Sequence, residues 1–170
     1  MNGQAVGSTT GRFNLDVVVV DDYRELTAEI AEALRRRGLS TKVAYDGATA
    51  RALAEDSTPA VALVDCTLPD VDGFNLIRQL GKAWPQTTFL VISGDVGGIS
   101  EDMARQLRIH AFLNKPLPMR VLAQAVERLV RRSCERTMEP EAPRAWISLG
   151  IGSPARRASP MILEALPLGR

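Results

Sequence analysis

The stretch AVALVDCTLPDVDG at residues 60–73 is an apolar run that ends in an aspartate and passes into a loop with a proline and a glycine. A short, nearly continuous apolar run rich in β-branched residues is typical of a strand covered on both faces. Three more runs have this character, DVVVV at 16–20, TFLVIS at 88–93 and AFLN at 111–114, and the weaker TKVAY at 41–45 predicts an edge strand. The sequence therefore predicts five strands in a largely buried sheet.

Segments with helical spacing lie between these strands. Gly38 follows three arginines, as expected where a helix ends with a C-cap glycine and nearby cations, and Pro85 would stop the third helix. The apolar positions that define the helices are Leu26, Ile30, Ala33 and Leu34, then Leu76, Ile77 and Leu80, and later Leu122, Val126, Leu129 and Val130. Strand and helix alternate five times, which predicts a parallel sheet with helices on both faces. The expected fold class is α/β, a flavodoxin-like, doubly wound (βα)5 domain with a five-stranded parallel sheet in the order 2-1-3-4-5.

The regular pattern covers only part of the chain. Residues 1–14 are expected to be a flexible N-terminal segment and residues 15–132 the folded domain. Residues 133–170 are rich in Pro, Gly, Ser and Arg, which predicts a largely disordered tail. Because that tail is too short and too rich in helix breakers for a helix-turn-helix unit, no direct DNA binding is expected.

Composition excludes several other classes of function. The 170 residues carry a formal net charge of +1, so no overall field attracts nucleic acid or anionic lipid. Cys66 and Cys134 are far apart and the chain has one histidine, which leaves no zinc-ligand set; both thiols are expected to be reduced, with Cys66 packed as a small apolar side chain. No signal peptide or membrane span is recognisable, so a cytoplasmic protein without a membrane partner is expected.

Polar and charged residues follow four of the predicted strands at their carboxyl ends. Asp21 and Asp22 follow the first strand, Asp65 the third and Lys115 the fifth, while Ser93 ends the fourth. Functional groups of a doubly wound sheet gather outside the carboxyl ends of its strands, so we expect these five side chains to converge. Carboxylates held close together repel one another unless a cation joins them, and oxygen ligands with open positions suit Mg²⁺. The sequence therefore predicts a magnesium site with room for a phosphoryl group.

Asp65 is the best candidate for a nucleophile among the three carboxylates. Its strand would be central, and Pro69 and Gly73 indicate a shaped loop after it. An aspartate can take up a phosphoryl group as an acyl phosphate, with Lys115 offering a positive charge and Ser93 a hydroxyl donor. Considered alone, Asp65 could simply cap the following loop. The carboxylates, hydroxyl and ammonium expected around it favour a role as phosphoryl acceptor.

Structural roles stay open for the other acids. Asp21 or Asp22 could cap the helix expected to start at Tyr23, and capping and metal binding are compatible. Asp70 and Asp72 are expected to be loop and cap residues rather than ligands.

Four motifs, taken in order, resemble a bacterial response-regulator receiver domain, the phosphoacceptor of two-component signalling. They are the acidic pair in VVVVDD at 17–22, the D-x-x-x-P-x-x-D-G run at 65–73, ISG at 92–94 and NKPL at 114–117. Each motif alone is weak, but their order at strand ends is specific. The resemblance covers the chain from about Leu15 to Arg132.

The resemblance implies a role for each acidic residue. Asp65 would accept a phosphoryl group from a sensor histidine kinase or a histidine phosphotransfer protein. Asp22 and Asp65 would bind Mg²⁺ directly, together with the backbone carbonyl of Thr67, and Asp21 would act partly through water.

The resemblance also implies how phosphorylation is sensed. Ser93 would hydrogen-bond the phosphoryl group, and Lys115 would pair with it beside a bond to Pro116 that is cis in the family. Phe112 falls at the switch aromatic, which turns inward as Ser93 shifts. The family more often has Thr at the position of Ser93, but the hydroxyl is retained.

These roles predict a binding and switching module and not a turnover enzyme. Phosphorylation of Asp65 would bias the surface of the fourth helix, fifth strand and fifth helix toward a separate, unidentified protein, or toward a second copy in a homodimer. No output domain is evident, so the expectation is a stand-alone receiver that acts through a separate protein or buffers phosphoryl groups from a kinase.

Two other classes of protein combine similar features. An aspartyl-phosphate phosphohydrolase also uses Asp, Ser or Thr, Lys and a metal in an α/β sheet. Its nucleophile usually lies in a D-x-D run after the first strand, whereas this chain has adjacent Asp21 and Asp22 there. A flavin or nucleotide carrier would need a glycine-rich loop after the first strand, which is absent from the sequence.

Overall fold

The computed structural model describes residues 13–94, 101–135 and 162–163. Strands and helices alternate along the chain as predicted. Their bounds are β1 Leu15–Val20, α1 Arg24–Arg35, β2 Thr41–Ala44, α2 Gly47–Asp56, β3 Pro59–Asp65, α3 Gly73–Ala83, β4 Thr88–Ser93, α4 Glu101–Gln106, β5 Ile109–Asn114, α5 Met119–Glu135 and β6 Ile162–Leu163.

The strands form one sheet in the order β2-β1-β3-β4-β5-β6. Every neighbouring pair is parallel, so the predicted order 2-1-3-4-5 and the parallel α/β class are confirmed. The structure adds β6, which pairs with β5 at Phe112 opposite Ile162 and Leu113 opposite Leu163. A strand of two residues is too short to give a recognisable sequence pattern, which is why five strands were predicted.

The core has one layer on each face of the sheet. Along β1, Val17 and Val19 pack toward α1 and α5, while Val18 and Val20 pack toward α2, α3 and α4. All residues of β3 are buried. Burial of a Val or Leu side chain contributes about 1.5–3 kcal/mol, so central strands of this composition hold the sheet between the helices.

Local signals end the helices where the sequence indicated. Gly38 has a φ of +78°, the left-handed conformation that glycine adopts readily, and it closes the turn after α1. Pro85 follows α3, whose last residue is Ala83. The two predicted stops are confirmed.

The folded body is slightly longer at both ends than residues 15–132. Phe13 is buried against the α1 and α5 layer, and Asn14 exchanges hydrogen bonds with Thr58. Helix α5 continues to Glu135. Residues 1–12, 136–161 and 164–170 lie outside the described residues, so their predicted disorder stays a prediction.

Among the described helices, none is both long and apolar enough to cross a membrane.

Candidate functional site

The carboxyl ends of four strands bring the predicted side chains together. Asp65 is the last residue of β3 and Ser93 the last residue of β4, and Asp21 follows β1 directly. Lys115 follows β5, and its backbone N–H donates to the carbonyl of Ser93 at 2.9 Å. Parallel strands align these ends at one edge of the sheet, so the residues converge although Asp21 and Lys115 are 94 positions apart in the chain.

Three carboxylates form the acidic part of the site. One oxygen each from Asp21, Asp22 and Asp65 lies within 4.8 Å of the others. Asp21 has no exposed surface and Asp65 is 7% exposed, whereas Asp22 is open to solvent. Two of the three charges are therefore held away from water, where ionised groups need a partner.

Lys115 is that partner. Its Nζ lies 2.8 Å from Oδ2 of Asp21 and 2.9 Å from Oδ2 of Asp65. Burial acts to lower the pKa of Lys115, but hydrogen bonds to the two carboxylates outweigh it and leave the pKa raised. Burial raises the pKa of Asp21 in spite of its ion pair with Lys115. Lys115 is therefore stabilised in its protonated form, whereas burial disfavours the ionised form of Asp21.

Asp21 also supports the start of α1. Its Oδ1 accepts a hydrogen bond from the Tyr23 backbone N–H at 2.9 Å, while Oδ2 faces Lys115. The helix begins at Arg24, one residue later than expected, and the side chain of Tyr23 makes no capping bond. This N–H belongs to Tyr23, the N-cap residue, so Asp21 forms a turn before the helix and does not cap the first turn of α1. That capping and metal binding coexist in one aspartate stays a prediction.

The loop of residues 66–72, which we call the acceptor loop, closes tightly after Asp65. Thr67 forms an antiparallel bridge with Asp72, and the N–H of Gly73 donates to the carbonyl of Cys66 at 2.9 Å. A Cβ at Gly73 would lie 2.1 Å from the carbonyl oxygen of Asp65, so only glycine fits. The sequence marked Gly73 as part of a shaped loop but gave no sign of this close approach.

The backbone of Thr67 lies beside the candidate nucleophile. Its N–H is 3.5 Å from Oδ1 of Asp65, and its side chain is exposed. Asp72 caps α3 by accepting from the Asn75 N–H at 3.0 Å, and Asp70 accepts from two N–H groups of α2. The expectation that Asp70 and Asp72 are loop and cap residues is confirmed.

The predicted switch residues are buried. Ser93 is 5% and Phe112 3% exposed, and the ring of Phe112 packs in the α2, α3 and α4 layer. Cys66 packs against the same layer, as predicted, and burial raises the pKa of its thiol against the opposing effect of a hydrogen bond with Ser93. The bond between Lys115 and Pro116 is cis, as the resemblance implied.

The donor set fits a hard divalent cation. It consists of carboxylate oxygens, and in the described part of the chain one ammonium lies among three carboxylates. Mg²⁺ is commonly bound by one or two carboxylates and keeps further positions for water and phosphate oxygens. The exposed carboxylate of Asp22 leaves the cluster open on the solvent side.

Comparison with known proteins identifies relatives of this chain. The family model of the response regulator receiver domain matches residues 17–127. Regulatory protein VanRc of Enterococcus gallinarum is 33% identical over 118 residues, which make up 68% of this chain and 50% of VanRc. Transcriptional regulatory protein CpxR of Klebsiella pneumoniae is 30% identical over 117 residues, 69% of this chain and 50% of CpxR. The chain spans about half the length of these curated relatives.

Solved structures share the fold. A CheY-like receiver domain protein from Methanospirillum hungatei superposes with a TM-score of 0.67 at 20% identity, covering 72% of this chain and 98% of that one. The receiver domain of Francisella response regulator 1452 gives a TM-score of 0.63 at 26% identity, covering 71% and 99%. Because the family model spans most of the folded residues and the strand ends carry the acidic cluster, the chain belongs to the response regulator receiver domain family.

Proposed function

We propose that Asp65 accepts a phosphoryl group from the phosphohistidine of a sensor histidine kinase or a histidine phosphotransfer protein. The observation that carries this proposal is the position of the Asp65 carboxylate at the end of a central strand. One of its oxygens lies within 4.8 Å of an oxygen of each of the two other acids, and Oδ2 lies 2.9 Å from the Lys115 ammonium. Perturbed, clustered charges at a strand end are typical of reactive sites rather than of structural caps. The receiver domain therefore supports phosphorelay signalling.

The transfer needs one bond to form and one to break. A carboxylate oxygen of Asp65 attacks phosphorus while the bond between phosphorus and the imidazole nitrogen of the donor breaks. The electron pair of that bond stays on the imidazole, which takes up a proton, and Asp65 becomes an acyl phosphate.

Lys115 and Ser93 would stabilise the charge on the phosphoryl oxygens. The ammonium of Lys115 is already 2.9 Å from Oδ2 of Asp65, so little movement brings it to a group attached there. Ser93 ends the neighbouring strand and carries a hydroxyl that can donate a hydrogen bond. Preorganised donors of this kind lower the cost of charge that develops during the reaction.

Asp21, Asp22, Asp65 and the backbone carbonyl of Thr67 would hold Mg²⁺. When bound there, the ion supplies positive charge that offsets the charge of the incoming phosphoryl group. Asp22 is exposed and Asp21 is engaged with Tyr23 and Lys115, which supports a direct role for Asp22 and a partly water-mediated role for Asp21.

Signalling to a partner would pass through Ser93 and Phe112. Since the ring of Phe112 is already buried, a shift of Ser93 would be sensed through repacking of an inward ring rather than through a ring entering from solvent. The surface formed by α4, β5 and α5 would then bind a separate regulated protein or a second phosphorylated copy. The prediction of no direct DNA binding falls on the tail, which lies outside the described residues apart from 133–135 and 162–163.

A phosphohydrolase is not favoured. Its nucleophile usually lies in a D-x-D run after the first strand, whereas β1 is followed by the adjacent Asp21 and Asp22, and Asp21 has no exposed surface. The homologues are regulators, and the domain accordingly acts as a phosphoacceptor switch.

The experiment is phosphorylation of the full chain by a small acyl phosphate donor with Mg²⁺. Mass spectrometry should detect one phosphoryl group per chain, stable in acid and labile in base, and EDTA should prevent its addition. Asp65→Asn should abolish uptake. Asp72→Asn is the matched control in the same loop, since Asp72 caps α3, and it should retain uptake. Label on the Asp65→Asn protein would refute the assignment.

A further inference from the structure

Asp70 makes hydrogen bonds that leave its own loop. Its Oδ1 accepts from the Gly47 N–H at 2.7 Å, and its Oδ2 accepts from the Ala48 N–H at 2.9 Å. Both N–H groups belong to the first turn of α2, where backbone donors lack partners inside the helix and the helix dipole is positive. The acceptor loop is thereby fastened to α2 by hydrogen bonds between residues that are 22 and 23 positions apart in the chain.

Helix α2 already has a cap of its own. The carboxylate of Asp46 accepts from the Thr49 N–H at 2.6 Å. Asp70 accepts from two other N–H groups, so two carboxylates bind the same turn. One belongs to the connection between β2 and α2, and the other belongs to the connection between β3 and α3. One of these carboxylates is enough to cap a helix, and the second one ties the helix to the acceptor loop.

An arginine extends this connection to α3. Arg51 of α2 places Nη2 3.3 Å from Oδ2 of Asp70 and Nη1 3.3 Å from Oε1 of Gln79, which lies on α3. Both contacts are partly exposed to solvent. They orient Asp70 without isolating it from water.

Close packing at Gly47 completes the anchor. A Cβ at this position would lie 2.3 Å from Cγ1 of Val71 and 3.2 Å from Oδ1 of Asp70. Val71 packs against the α2, α3 and α4 layer of the core. The middle of the acceptor loop therefore rests directly on the backbone of α2, and only a glycine there permits it.

The anchored residues are part of a small closed loop. The bridge between Thr67 and Asp72, and the bond from the Gly73 N–H to Cys66, join the two ends of the loop. A displacement at Asp70 is thus transmitted to Thr67, whose backbone lies beside Oδ1 of Asp65.

We propose that Asp70 is a positioning residue for the phosphoacceptor site. Its carboxylate holds the acceptor loop on α2, and this keeps the Thr67 backbone at the place where it contributes to the magnesium site. The inference rests on the proposed function, because it assigns Asp70 to the geometry of that same site. Asp70 itself touches neither the metal nor the phosphoryl group.

The experiment compares Asp70→Ala with Asp46→Ala in the full chain. Each variant removes one carboxylate that binds the first turn of α2, so each should lower the midpoint of denaturant unfolding, Asp70→Ala at least as much as Asp46→Ala because it loses two backbone donors and the contact with Arg51. Only Asp70→Ala removes the tie to the acceptor loop. Its dissociation constant for Mg²⁺, measured by calorimetric titration at a temperature where both variants are folded, should rise about tenfold, as is usual when a residue that orients a ligand is lost. Asp46→Ala should keep the wild-type constant.

A conservative variant and a second measurement sharpen the result. Asp70→Asn keeps one acceptor oxygen, so its dissociation constant for Mg²⁺ should lie between those of the wild type and Asp70→Ala. Amide hydrogen exchange at Gly73, whose N–H closes the loop, should accelerate in Asp70→Ala and stay unchanged in Asp46→Ala.

The outcomes separate this inference from the proposed function. Equal weakening of Mg²⁺ binding in both alanine variants, or none in Asp70→Ala, would overturn the positioning role. A wild-type chain that binds Mg²⁺ but takes up no phosphoryl group would refute the proposed function and leave the anchor to be judged by the metal titration. A wild-type chain that binds no Mg²⁺ would overturn both.

Discussion

The two ends of the parallel sheet handle polar groups in opposite ways. At the amino ends of β3 and β4, the indole N–H of Trp84 donates to the carbonyl of Ser57 at 2.6 Å, and the hydroxyl of Thr87 donates to the carbonyl of Pro59 at 2.6 Å. Both side chains are buried, and each finds a backbone acceptor, Trp84 in the connection between α2 and β3 and Thr87 at the first residue of β3. Buried donors satisfied in this way stabilise the fold and leave nothing to react.

At the carboxyl ends, the carboxylates of the site outnumber the ammonium that pairs with them. Asp21 and Asp65 are buried and share one ammonium, that of Lys115, while Asp22 adds a third carboxylate nearby. Such an arrangement weakens the fold and prepares the site for a cation and a phosphoryl group. The difference between the ends indicates which buried polar groups serve stability and which serve chemistry.

Substitution at the amino end should give the largest loss of stability. Trp84→Phe removes the N–H and leaves the Ser57 carbonyl buried without its partner, which costs about 1–3 kcal/mol, and the smaller ring adds a packing loss. The free energy of unfolding, measured by urea denaturation followed by circular dichroism, should fall by at least that amount. Phosphoryl uptake at Asp65 should persist at temperatures where the variant is folded. Loss of uptake in a folded Trp84→Phe protein would contradict the separation of the two ends.

Substitution at the carboxyl end of the sheet should raise the free energy of unfolding rather than lower it. Asp21→Asn keeps an oxygen for the Tyr23 N–H and removes a carboxyl whose pKa is raised, chiefly by burial. The folded state holds that proton to a higher pH than the unfolded chain does. The stability from this group is therefore present below its ordinary pKa of 3.8 and is lost as the pH rises above it.

At pH 7 in EDTA, Asp21→Asn should accordingly raise the free energy of unfolding, by an amount on the order of 1 kcal/mol. This advantage should shrink as the pH is lowered toward 4, when the wild-type carboxyl regains its proton. Urea denaturation at several pH values measures both effects. Asp22→Asn, at an exposed position, is the control and should change stability little. An Asp21→Asn protein less stable than wild type at pH 7 would mean that the ion pair with Lys115 outweighs the cost of burial.

The sequence predicted the fold well because its signals were local. Continuous apolar runs marked β1, β3 and β4, and Gly38 and Pro85 marked the ends of helices. The start of β5 was placed two residues late, at Ala111 rather than Ile109, because the exposed His110 interrupts the apolar run. Convergence of the site residues followed from the topology, since a parallel sheet aligns all carboxyl ends at one edge.

The contacts that fix the geometry of the site were not predictable in the same way. Asp70 meets Gly47 from 23 residues away, and Lys115 reaches Asp65 across 50 residues. Such pairs depend on how loops pack after the sheet has formed, and no periodic pattern records them. Asp70 was recognisable as a loop or cap residue, but the helix that it caps, and the consequence for Thr67, required the structure.

The smallest expected effect concerns an ion pair that belongs to neither set of buried groups. Glu127 of α5 binds Arg37 at 2.5 Å and Arg131 at 2.7 Å near the surface, and the hydrogen bond from Arg37 holds the pKa of Glu127 below its ordinary 4.5. The stabilisation that Glu127 contributes is therefore present above pH 4.5 and is lost as the pH falls through the lowered pKa.

Glu127→Gln should reduce the free energy of unfolding by about 0.2–1 kcal/mol at pH 7, and by less at pH 3 or in high salt. Glu32→Gln, which removes a more exposed partner of Arg36, is the control and should have a weaker effect at both pH values. A loss at Glu127 as large as that of Trp84→Phe would show that surface charge rivals buried hydrogen bonds in stabilising this fold.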